Sequence, residues 1–102
     1  MKADDILEAV SALTGVPAET MKGPGRHART VYARTMVSQL MRKHCVGWTF
    51  QNIGEFLHRH HTIIIYDLVR HKVLIQTDAA YRDTFQILLS QTQTKPTPPC
   101  KD

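Results

Sequence analysis

The sequence has few cysteines and no long apolar run, and each absence narrows the class of protein. Only Cys45 and Cys100 occur among 102 residues, too few for a disulfide framework, so a reducing, cytoplasmic setting is expected. The longest apolar run covers only residues 63–66, so no segment is long enough to cross a bilayer and no membrane partner is expected. The first residues also lack the apolar stretch of a signal peptide.

Acidic residues are scarce in the middle of the chain. No Asp or Glu lies between Glu19 and Glu55, and residues 22–72 carry nine Lys or Arg against two acids. The formal net charge of +4 therefore arises in this middle segment, while residues 1–21 are net acidic. Such a distribution favours contact with a polyanion. A solvated basic face that binds nothing is the alternative.

Apolar residues recur at helical spacing between glycine and proline breaks, which predicts an all-α domain over residues 1–92. The proline-rich segment 93–102 is predicted to be a disordered tail. About six helices are expected, at residues 4–14, from Pro17 to 22, at 29–44, 50–57 and 62–75, and from 78 or 79 onward. The fifth of these starts at Thr62 or at the residue before it. Residues 62–66 are β-branched or aromatic and favour a strand locally. We assign them to a helix because the helical spacing continues through Leu74.

Two of these helices carry explicit predictions about which side is buried. The expected buried residues are Val31, Met36, Val37 and Leu40 in the third helix, and Ile64, Ile65, Leu68 and Val69 in the fifth. Arg34 is then expected to project away from the core.

The short helix 50–57, a tight turn and the longer helix 62–75 form a helix-turn-helix unit. In such units the second helix enters the major groove with its N-terminal residues on the base edges. Here those residues are Arg59, His60, His61 and Thr62, whose side chains suit bases and phosphates. A purely structural helix pair is the alternative.

Three segments make the chain resemble the C-terminal DNA-binding domain of the bacterial replication initiator DnaA. They are the Gly-Pro-Gly loop with residues 26–29 and the helix that follows, the 50–57 helix with its Ile-Gly pair, and residues 59–62. The resemblance covers about residues 5–90. It implies an all-α, Trp-repressor-like helix-turn-helix fold that binds double-stranded DNA in replication initiation or its regulation.

The resemblance also implies roles for individual residues. Arg26 would enter the minor groove, and Arg34 would contact a guanine or its phosphate. His61 and Thr62 would read base edges, whereas other basic residues would position the domain on phosphates. The full predicted DNA-binding set is Lys22, Arg26, Arg29, Arg34, Thr35, Arg42, Lys43, Arg59, His60, His61, Thr62 and Ile63.

Several of these residues depart from the family pattern. His60 replaces an aspartate that accepts from a base amino group, and Ile63 replaces a threonine. Thr35 stands in place of a glutamine, and His58 replaces a glycine pair. An altered preference at the DnaA box is therefore expected. The alternative function is a helical protein-interaction module, in which an exposed Ile63 would help to form an apolar docking patch.

Other chemistry finds little support in the sequence. The histidines around residues 44 and 58–61 lack the paired spacing of a zinc site. No nucleophile-elbow motif and no phosphate-binding loop are present. We therefore expect no enzyme activity, cofactor or metal, and a chain that lacks the initiator's ATPase module, as a stand-alone relative or an excised domain. Neither a dimer nor a protein partner is specified.

Overall fold

The computed structural model describes residues 3–23, 27–45 and 47–92, which form α-helices and connections without a strand. The helices are α1 (Ala3–Thr14), α2 (Ala18–Lys22), α3 (Ala28–His44), α4 (Phe50–Leu57), α5 (His61–Thr77) and α6 (Ala79–Thr92). The predicted all-α fold with six helices is confirmed. No helix in these ranges has the length and apolar character needed to span a membrane. The predicted tail at 93–102 lies outside the described residues.

Local sequence signals explain where several helices begin and end. Asp4 and Asp5 lie in the first turn of α1, where carboxylates stabilise the positive end of the helix dipole. Gly15 follows the last residue of α1 with φ +76°, a left-handed conformation that glycine adopts without strain. At α4, the Thr49 hydroxyl accepts from the Asn52 amide at 3.1 Å, and the Asn52 side chain accepts from the Thr49 amide at 3.0 Å. This reciprocal capping box confirms Thr49 as the predicted N-cap.

The β-branched segment 62–66 is helical, as predicted, and lies within α5. The helix begins at His61, the earlier of the two predicted starts, because His60 is the N-cap. Helical spacing over the whole segment thus outweighs the local strand preference of its isoleucines.

Helix α3 is central to the packing, with contacts to α1, α2, α5 and α6, and α5 packs against α3, α4 and α6. Burial of large apolar side chains drives this arrangement, at about 1.5–3 kcal/mol each. The core of wholly buried apolar residues includes Ile6, Val10, Met21, Val37, Leu40, Met41, Ile53, Leu57, Ile64 and Leu88.

Two predictions about buried faces are wrong. Arg34 is only 8% exposed, because it lies in the packed part of α3 near the carboxylate of Asp67. Ile65 and Val69 are 38% and 56% exposed, whereas Asp67 and His71 are buried. The inner side of α5 follows the helical positions i, i+3, i+7 and i+10 from Ile64, and two of those positions are polar.

Candidate nucleic-acid interface

The two helices of the helix-turn-helix meet at Gly54. A Cβ atom at this position would lie 2.5 Å from the Arg59 carbonyl oxygen, so the approach of α4 to the turn leaves room only for glycine. The Arg59 amide donates to the Gly54 carbonyl at 2.7 Å. His58 takes a left-handed conformation with φ 57°. The turn is therefore tightly closed onto α4 and sets the start of α5.

His60 caps the N-terminus of α5 through its imidazole ring. Its Nδ1 atom accepts from the Thr62 amide at 3.3 Å and also contacts the Thr62 hydroxyl. A ring nitrogen that accepts from an amide carries no hydrogen, so in the neutral ring the hydrogen is on Nε2. The His61 ring lies against it, with 4.3 Å between centroids. His60, His61 and Thr62 are all exposed.

Arg59 connects this turn to the end of α2. Its guanidinium donates to the Gly23 carbonyl, and to the His58 carbonyl at 3.1 Å. The Lys22 ammonium lies 4.4 Å from the centroid of the Phe56 ring of α4, within the range of a cation–π interaction. Two contacts thus attach the C-terminal end of α2 to the helix-turn-helix.

A buried carboxylate joins α5 to α3. Asp67 is 2% exposed. It accepts from the Ser38 hydroxyl at 3.2 Å and from the Arg70 guanidinium at 2.7 Å. Desolvation raises the pKa of Asp67 and outweighs the attraction of Arg70 and Arg34. Burial, with the positive charge of Arg59 next in importance, lowers the pKa of Arg34, while Asp67 opposes that change.

A second buried polar contact joins α5 to α6. His71 Nδ1 and the Tyr81 hydroxyl share a hydrogen bond of 2.8 Å, and the Phe85 ring lies 4.4 Å from the His71 ring. Burial lowers the pKa of His71. The pKa of the Tyr81 phenol is raised, chiefly by burial and secondarily by the charge of Asp67.

The opposite side of α5, the outer α5 face, consists of Thr62, Tyr66, Val69 and Val73. These four residues lie at i, i+4, i+7 and i+11, so they share one side of the helix. The side chains of Tyr66 and Val73 are 63% and 53% exposed. The second helix of the helix-turn-helix therefore presents a largely apolar outer surface.

A family model described as the bacterial DnaA protein helix-turn-helix matches residues 3–70, about two thirds of the chain. The chain belongs to this family. The match includes all of α4 and the first part of α5, whose turn and exposed N-terminal residues are described above. As a DnaA-type helix-turn-helix domain, it is a DNA-binding domain.

The DnaA-type domain brings together part of the predicted binding set. Lys22 and Arg59 both contact residues at the junction of α2 with the helix-turn-helix. Residues 60–62 are exposed, and Ile63 is 39% exposed beside them. Arg42 and Lys43 are exposed in the last turn of α3, and the Arg42 guanidinium lies 4.7 Å from the centroid of the Phe50 ring in α4.

Other members of the predicted set are placed elsewhere. Arg29 lies apart, beside a groove that Leu13 and Asp78 also line. Thr35 has no exposed surface and its hydroxyl donates to the Val31 carbonyl at 2.8 Å, so it cannot touch DNA in this conformation. Arg26 lies outside the described residues.

Sequence reasoning missed the apolar residues of the outer α5 face. Their helical spacing from Thr62 was the only sequence signal that Tyr66, Val69 and Val73 share one exposed face. The predicted buried stripe, which included Val69, pointed to a different face. The bond from Arg59 to the Gly23 carbonyl has no signal in the sequence, because it joins segments that are distant along the chain.

Proposed function

We propose that this domain binds duplex DNA in a sequence-selective manner, with the N-terminal turns of α5 in the major groove. Its base preference differs from that of the usual DnaA box, and its role is in replication initiation or the regulation of initiation. This is a binding function without catalysis, exercised in the cytoplasm where bacterial DNA lies. The observation that carries the proposal is the exposed trio His60, His61 and Thr62 at the N-terminus of a DnaA-type second helix.

The capping geometry supports an altered base preference. Nδ1 of His60 is used in the cap, so the neutral ring has only the Nε2 hydrogen to offer a base. An aspartate at this position would only accept hydrogen bonds. The donor of His60 favours the N7 or O6 acceptors of a purine over the amino group of cytosine.

The exposed basic residues support a strong contribution from phosphate contacts. Arg42 and Lys43 are exposed at the end of α3, where cationic side chains can position DNA without reading its sequence. Each phosphate contact should steepen the fall of log K with log salt by about 0.9. We expect about five or six such contacts in all.

Selection of random duplex DNA on the purified protein, at two salt concentrations, tests the proposal. We expect an enriched motif related to, but different from, the DnaA box. The His61→Ala variant should lose affinity for the selected duplex and keep its affinity for random duplex. Lys43→Ala should weaken binding to both duplexes equally, because a phosphate contact carries no sequence information. Equal effects of both variants on both duplexes would contradict sequence reading by α5.

A protein-interaction module is the second candidate, favoured by the exposure of Ile63 next to the outer α5 face. In that case Ile63→Lys should abolish partner binding, whereas Lys43→Ala should leave it intact. Failure of the protein to retain any duplex at low salt would favour this function over DNA binding.

A further inference from the structure

The outer α5 face combines an apolar surface with a basic border. Tyr66, Val69 and Val73 are exposed, and helical spacing places the exposed Lys72 on one side of them. Arg70 lies on the other side, where its guanidinium is ion-paired with Asp67. The only acid of α5, Asp67, is buried on the inner side. An apolar helix face with no exposed carboxylate and with the exposed cation Lys72 at its border suits a ligand that has an anionic edge and an apolar feature beside it.

The major groove of DNA has this chemistry. Phosphates line both of its edges, and the 5-methyl group of thymine is the apolar feature of its floor. A cytosine amino group or a guanine oxygen facing a valine side chain would lose water without gaining a hydrogen bond, which is unfavourable. An apolar surface in the groove therefore discriminates in favour of thymine.

We propose that Tyr66 and Val69 are specificity-determining residues that read thymine methyl groups. This inference rests on the proposed function, because it requires α5 to lie in the major groove. It extends the reading surface beyond the polar residues 60–62 to the second and third turns of the helix. The DNA site should therefore contain thymines next to the positions contacted by His61 and Thr62.

The distance along the helix axis separates residues that can lie within the groove from one that cannot. With a rise of 1.5 Å per residue, Val69 lies about 10 Å along the axis from Thr62, and Val73 lies about 17 Å from it. The major groove is about 8.5 Å deep. For a helix that enters obliquely with its N-terminus at the floor, Tyr66 lies within this depth, Val69 lies near its limit and Val73 falls beyond it. Val73 is thus a matched control on the same face.

The test uses the duplex recovered by selection and copies in which single thymines are replaced by deoxyuridine. This replacement removes one methyl group and leaves base pairing unchanged. Loss of a methyl that is buried against the protein should weaken binding of the natural chain about fourfold. In Tyr66→Ser or Val69→Ser, the same replacement at the facing thymine should change affinity by less than about twofold. Val73→Ser should respond to deoxyuridine as the natural chain does.

Other results overturn the inference in distinguishable ways. If the protein selects a motif whose affinity is unchanged by every deoxyuridine replacement, DNA reading stands and methyl reading fails. The same conclusion follows if Tyr66→Ser and Val69→Ser remain fully sensitive to methyl loss. If no duplex is retained at low salt, the proposed function fails together with the inference. If all three serine variants weaken DNA binding equally and without regard to deoxyuridine, the face acts as a general apolar contact.

Discussion

The inner and outer sides of α5 differ in polarity from the usual pattern of a helix at the surface of a globular protein. The inner side includes two ionisable residues, Asp67 and His71, whereas the outer α5 face is mostly apolar and exposed. In most surface helices the apolar stripe is buried and the polar side faces water. The difference shows that α5 is not attached to the domain by apolar contacts alone.

The inner side fixes the orientation of α5 through bonds that have direction. Asp67 holds the helix to Ser38 of α3, and His71 holds it to Tyr81 of α6. A hydrogen bond requires a defined length and angle, so rotation of α5 about its axis would break both contacts. Burial also raises the pKa of Asp67, which means that its ionised form is costly to bury. This arrangement favours a defined presentation of the outer α5 face over maximal stability.

Replacement of Asp67, on the inner side of α5, should lower the free energy of unfolding most. Asp67→Ala removes the acceptor of Ser38 and Arg70 and the carboxylate near buried Arg34. Loss of one member of a buried charged cluster typically costs about 3 kcal/mol of unfolding free energy. Urea denaturation at neutral pH measures the change, with Asp83→Ala as the control because Asp83 is an exposed acid on α6. A loss from Asp67→Ala no larger than that of the control would show that the cluster does not stabilise α5.

A Cβ atom at Gly54 should displace the turn and with it the start of α5. Gly54→Ala places a Cβ 2.5 Å from the Arg59 carbonyl oxygen, so the turn must shift away from α4. Overpacking of this kind costs about 2 kcal/mol, and it should also weaken duplex binding because the N-terminus of α5 moves. Gln51→Ala, at an exposed position of the same helix, is the control. Unchanged stability of Gly54→Ala would mean that the turn adapts without strain.

The order of the helices was predictable from the sequence because the signals that set it are local. Gly15, Pro17 and Thr49 terminate or begin helices through their own backbone preferences or side-chain bonds, and the structure has helix boundaries at all three. The spacing of apolar residues through Leu74 also sufficed to predict a helix at 62–66. These features require no knowledge of which elements pack together.

The orientation of α5 was not predictable in the same way. Isoleucine and valine occur on both sides of the helix, so hydrophobicity alone selected Ile65 and Val69 as buried. The true inner side depends on partners supplied by other elements, such as Ser38 for Asp67 and Tyr81 for His71. The burial of Arg34 likewise depends on tertiary packing, since an arginine without a nearby carboxylate would be expected at the surface.

The pH dependence of stability tests the His71 contact. Because burial lowers the pKa of His71 from its ordinary value of 6.5, the unfolded chain binds more protons than the folded chain just below that pH. The contribution of His71 to stability should therefore fall as the pH drops below about 6.5, whereas the raised pKa of Asp67 acts with the opposite sign at lower pH. His44, whose pKa is also lowered mainly by burial, contributes with the same sign as His71. Urea midpoints of the natural chain and of His71→Gln, from about pH 7.5 to about 5.5, should show a shallower dependence in the variant. Parallel curves would assign the whole dependence to other groups.

Serine substitutions on the outer α5 face should change the stability of the protein least. Tyr66→Ser and Val73→Ser remove apolar groups that are more than half exposed, so each should change the free energy of unfolding by less than about 1 kcal/mol. Ile87→Ser, at an apolar position of α6 that is about half exposed, is the matched control. The midpoint of urea denaturation, measured at several protein concentrations, gives the result. A larger loss that grows with protein concentration would mean that a second copy of the chain covers the outer α5 face in solution. A small, concentration-independent loss would mean that this face contributes little to folding, which leaves it available for a ligand.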